Sequence, residues 1–157
     1  MPDQPDTADI DAWHRYFAIE NNNRAWDLAA ASSRTPDESR EMLNAAHSAA
    51  GHWQAVGTDL NNMRARMLLA EVHALLGFGP SALELAAQVR DYFLNRTTDD
   101  WELAFVHTIH AHAAAAAADA QTHADSYLAA ESAIAAIAAD EDRAIVLQTF
   151  NQVPKPG

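Results

Sequence analysis

Histidine is the residue whose number and spacing most invite chemistry in this chain: 8 of them stand beside only 10 lysines and arginines together. His107 and His110 are three apart, so on a helix they share a face, and two imidazoles so placed can bind one metal ion. His112 lies roughly 140° round from His107 and belongs to another face. His47 and His52 diverge in the same way unless Gly51 introduces a bulge. No HExxH and no ExxH pairing accompanies them, so a carboxylate ligand or base is missing, and neither a metal nor a cofactor is expected. The plainer role for such imidazoles is packing on alanine-rich helices.

His47, His52 and Trp53 form a polar cluster before the turn leading to Asn62 and Arg64. A hairpin centred on Gly57-Thr58 places His52 opposite Asn62 or Met63. The cluster either forms a ligand site with Arg64 or locks the corner by ring packing and an indole hydrogen bond. Ser32, Ser33 and Ser48 have histidines within reach, but serine at helix ends caps, and no nucleophile is read there. A Gly-rich phosphate loop and a GxSxG motif are both missing.

Helices must position these side chains. The chain reads as about seven of them: 8–33, 35–56, one from Thr58 to near Gly77, then 80–95, one after Thr97-Thr98-Asp99-Asp100 to near Ala118, then 120–138 and a short last one after Asp140. Asn21 to Asn23 compete for backbone hydrogen bonds and are expected to kink or break the first helix. Thr35-Pro36-Asp37-Glu38 is a capping box with proline at the first helical position. Residues 1–7 are expected to be disordered, 8–152 to form a single helical-repeat domain, and 153–157 to fray.

Leu69 to Val89 give the clearest unit, two amphipathic helices around Gly77-Phe78-Gly79-Pro80. Gly77 suits a left-handed residue closing the first helix, Pro80 the first turn of the second, and the small Ala82 a close approach. Leu69-Ala70 has counterparts 41 residues away at Leu28-Ala29 and at His110-Ala111, and Gly77 maps onto Ala118. The register slips by one where Asn22-Asn23-Arg24-Ala25 aligns with Asn62-Met63-Arg64-Ala65.

This hairpin resembles the tetratricopeptide unit. From about His14 to Pro154 the chain resembles a group of bacterial tetratricopeptide-like proteins without an established activity, through Asn22 to Trp26, Ala45-Ala46-His47, His52-Trp53, Val56-Gly57-Thr58, Trp101 to Phe105, Asp140 to Arg143 and Val153-Pro154. The resemblance implies an all-α array whose first helices line an inner surface. In the 41-residue register that surface carries Asn23, Trp26, Arg64, Met67, Glu71, Phe105, Thr108 and His112. Arginine pairs with a carboxylate through two parallel hydrogen bonds, so an anionic ligand or C-terminal peptide group is the expected guest. His110 and Ala118 depart from the tetratricopeptide pattern.

Composition bounds the rest. Hydrophobic residues make up 49% of 157, a large share of them alanine, with 8% aromatic, which favours packed helices over sheet. A net charge of −12 repels phosphate backbones and anionic lipid, so neither nucleic acid nor membrane is an expected partner. Cysteine is absent, and the N-terminus lacks a signal-peptide layout, so a cytoplasmic protein is expected. The expected function is a binding module for a protein segment or small anionic ligand, using Asn23, Trp26, His47, His52, Trp53, Arg64, Glu71 and His112. The alternatives are a small histidine-dependent enzyme or metal-binding protein, or a subunit whose alanine-rich faces serve homo-oligomerisation.

Overall fold

The computed structural model describes residues 3–4 and 8–157, and the stretch 1–7, expected to be disordered, lies outside them apart from 3 and 4. The described residues form seven helices and no strand: α1 (Ile10–Ala30), α2 (Pro36–Val56), α3 (Asp59–Leu75), α4 (Gly79–Leu94), α5 (Asp100–Ala116), α6 (Ala120–Ala135) and α7 (Asp140–Phe150). Consecutive helices pack as antiparallel neighbours, and α1, α3, α5 and α7 also touch in series, which makes a helical array. Alanine makes that closeness possible: Ala29, Ala70 and Ala111, 41 residues apart in turn, are all buried.

Two helix ends repeat bond for bond. After α3 the Phe78 amide donates to His73 O at 2.8 Å and that of Gly77 to Ala74 O at 3.1 Å. After α5 the Asp119 amide donates to Ala114 O at 3.0 Å and that of Ala118 to Ala115 O at 3.1 Å. Both are Schellman closures, and Gly77 at φ 77° and Ala118 at φ 58° are the positive-φ residues among those described. The expected equivalence of Gly77 and Ala118 therefore extends to backbone conformation. Gly79 serves differently: a Cβ there would lie 2.3 Å from Ala116 O and 2.5 Å from Ala117 Cα, so the α3–α4 turn rests directly on the end of α5.

The first hairpin ends by other means. Arg34 Nη1 donates to Leu28 O at 2.9 Å and Ala31 O at 3.0 Å, satisfying carbonyls that α1 leaves open. The capping boxes at Thr35 and Thr58 are both formed, each closed reciprocally by the residue three further on, Glu38 and Asn61.

Two expectations are corrected. The asparagines do not break α1, which is one helix through Asn21 to Asn23. Asn21 bonds back to Phe17 O at 2.8 Å, and the face of Ala18, Ala25, Leu28 and Ala29 packs the helix down, so tertiary burial overrides propensity. The tail from Val153 does not fray at its start. Val153 is 5% exposed beside Ala111, Tyr127 and Phe150, and His123 Nε2 donates to Pro154 O at 2.7 Å.

Seven of the 8 histidines bond between elements. His14 Nδ1 and His52 Nδ1 are 2.8 Å apart and pin α1 to α2. His47 meets His73 across α2 and α3 at 3.5 Å, and His73 Nδ1 lies 2.7 Å from Ser81 Oγ on α4. His110 meets Ser126 at 2.7 Å between α5 and α6.

Three measurements follow. Gly77→Ala has room for its methyl and loses only the dihedral preference, about 1 kcal/mol, while Ala118→Gly should gain a similar amount by relieving the same strain. Urea titrations should show these opposite signs, and equal signs would mean the turns are not equivalent. Gly79→Ala should cost more than Gly77→Ala, since backbone blocks its Cβ.

Acidity gives the third. Burial, aided by a neighbouring imidazole or Arg90, holds His52, His73, His107 and His110 below the usual imidazole value. Above about pH 6.5 both folded and unfolded forms are neutral. As pH falls through that value the unfolded chain takes up protons that the folded one resists, so stability declines. Denaturation midpoints should fall from about pH 7.5 to about pH 5.5, and a flat profile would contradict this.

Candidate functional site

One face of each odd-numbered helix turns toward a common cavity of about 530 Å³. From α1 come Ile19, Asn22 and Trp26, and from α3 Arg64, Met67 and Glu71, in each case at spacings of three and then four. From α5 come Trp101, Glu102 and Phe105, and from α7 and its end Ile145, Gln148 and Gln152. Trp53 of α2 closes one side. Three of the protein's 4 tryptophans thus meet at one cavity.

The aromatic wall is continuous. Phe105 lies 5.9 Å from Trp26 and 6.3 Å from Trp101, ring centre to ring centre, with the second pair edge to face. Across it Arg64 Nε donates to Glu102 Oε2 at 2.7 Å and Nη2 to Oε1 at 3.0 Å, the bidentate fork that suits guanidinium to carboxylate. The Glu102 side chain is only 6% exposed and that of Arg64 42%. Burial of Glu102 is tolerable because the fork answers both its oxygens. The same guanidinium sits 5.6 Å from the Trp101 ring centre.

Deeper, Glu71 is 0% exposed, and His112 Nδ1 lies 3.0 Å from each of its oxygens. A carboxylate only accepts, so the imidazole Nδ1–H donates. Beside this pair on α5, Thr108 is buried with a hydroxyl that finds no partner.

The sequence-derived residues divide accordingly. Trp26, Trp53, Arg64 and Glu71 line the cavity, with Met67 and Phe105. Asn23 does not: it is exposed, and its neighbour Asn22 faces the cavity. His112 stands behind Glu71, away from the lining. His47, His52 and Trp53 are not one cluster. His52 turns to His14 on α1 instead of Asn62 or Met63, and His47 turns to His73, because α2 presents residues five apart to different neighbours. His107 and His110 share a face, but His110 is engaged by Ser126. Among the described residues no group of three His, Asp or Glu is gathered as a metal set.

Sequence reasoning missed Asp27, Trp101, Glu102 and the residues of α7 as lining. Trp101 carried a signal, being four residues before Phe105 and so on its face. The α7 residues carried none, since that helix falls outside the repeat. Comparison with models of known families, with curated proteins and with solved structures finds no match.

Arg64→Ala leaves Glu102 buried without its donor and should cost about 2 kcal/mol. Adding Glu102→Gln should recover part of that loss, a coupling that a double-mutant cycle by urea unfolding reads directly. A single Arg64→Ala melt identical to wild type would mean the fork contributes nothing to the fold.

Proposed function

We propose that this protein is a binding module that takes a small molecule into the cavity between α1, α3, α5 and α7. The observation that carries this reading is the convergence of Trp26, Trp53, Trp101 and Phe105 on about 530 Å³ of open space, a volume within the range of ligand pockets. A folded chain does not leave so many rings half-covered around a void without cost, and a ligand removes that cost. The likeness to tetratricopeptide arrays supports a ligand on the inner surface, but a small molecule suits the enclosure better than an extended protein segment. Gln152 Nε2 bridges to Ala29 O at 3.0 Å, so the inner surface is walled on its fourth side.

The anionic guest expected for Arg64 is set aside on charge. Nε and Nη2 of Arg64 are spent on Glu102, and Asp27 and Glu71 add two more carboxylates to the lining. The enzyme reading has less support, since His47, His52 and Arg64 lie with three different partners. The net charge of −12 continues to argue against nucleic acid and anionic lipid as partners.

A library of small polar and aromatic compounds, screened by tryptophan emission and thermal shift, tests this. A ligand at one hundred times its Kd should stabilise the fold by about 2.7 kcal/mol. Ala30 lies exposed at the cavity edge, so Ala30→Trp should fill the entrance and abolish both signals without unfolding the chain. Ligands that bind Ala30→Trp as well as wild type would overturn the assignment, as would a screen without hits.

A further inference from the structure

Charge and ring chemistry in the cavity point to one class of guest. Asp27, Glu71 and Glu102 line it against a single cationic side chain, Arg64, which is consumed by Glu102. Asp27 is exposed at the edge, and Glu71 lies at depth with His112 as its hydrogen-bond partner. Carboxylates therefore run from the entrance inward, inside a protein of net charge −12. Indole and phenyl faces are electron-rich and attract cations within about 6 Å of the ring centre. Trp101 already demonstrates this preference, holding the Arg64 guanidinium at 5.6 Å. Trp26 and Trp53 have no such cation of the protein's own over them among the described residues.

We infer that the cavity selects an organic cation, an ammonium group carried on an apolar or aromatic body. This rests on the binding-module reading above. An anion would meet Asp27 at the entrance and Glu71, held by His112, at depth, and a neutral molecule would pack on the ring faces without answering the carboxylates. A cation uses both and is drawn in by the field of the whole chain, which salt screens.

The test compares three probes of similar size on the full chain by calorimetry and tryptophan emission: benzyltrimethylammonium, benzyl alcohol and phenylacetate. The cation should bind at least roughly tenfold more tightly than either of the others, with affinity falling as salt rises. Asp27→Asn, on an exposed side chain, should weaken the cation roughly threefold and leave benzyl alcohol unchanged. Trp53→Leu should likewise narrow the gap between cation and alcohol. If benzyl alcohol or phenylacetate binds as well as the cation, the inference fails while the cavity remains a binding site. If none of the three binds, the cation assignment also fails, and the binding-module reading is then judged by the library screen and the Ala30→Trp control.

Discussion

A carboxylate with no exposure at all, Glu71, sets the terms for this fold. Buried charge is tolerated only where it is bonded, and the bond comes from His112, the residue 41 positions later on the neighbouring first helix. The rest of the core at α3 and α5 is apolar, with Met67, Ala70 and Ala74 clustered with Val106, Ile109 and Ala113, and such contacts carry no direction of their own. A polar pair permits one alignment. With Glu71 and His112 in register, Arg64 meets Glu102 one end of the interface away, and the Gly79 turn comes to rest on Ala116 and Ala117. The cavity floor thus shares its register with one buried contact, while the two αL turns are closed by their own local bonds.

The distribution of large side chains has the same origin. Helices joined through Ala18, Ala25, Ala46, Ala49, Ala70, Ala82 and Ala104 lie too close for an indole between them. Rings must go where the helices part. Phe93 finds space inside the core, but Trp26, Trp53 and Trp101 are left half-buried around the central opening. An alanine-rich core and an aromatic-walled cavity are two sides of one packing solution.

Local rules of sequence reached most of the fold. The capping box at Thr35, the helix start at Thr58 and the Gly77–Ala118 equivalence rest on interactions among residues a few positions apart, and these were legible. Where long-range contacts decide, the sequence was a poor guide. The Asn21 to Asn23 run looked like a break, yet the buried face of α1 holds it helical. The pairing of His52 with His14 and of Arg64 with Glu102 each spans 38 residues, a distance that periodicity on a single helix does not address. For the candidate site, Trp26 and the α3 contributions followed from the repeat, while α7 entered the cavity without any internal copy to announce it.

The bridge from Gln152 to Ala29 joins positions 123 residues apart, and among the described residues it is the hydrogen bond between the end of the chain and α1. Every other wall of the cavity is a seam of interlocked side chains, whereas α1 and α7 share no extended packed interface. The enclosure is therefore a ring with one clasp. Its rim yields at that seam before it yields anywhere else, because opening there sacrifices an amide bond to a carbonyl that water can replace.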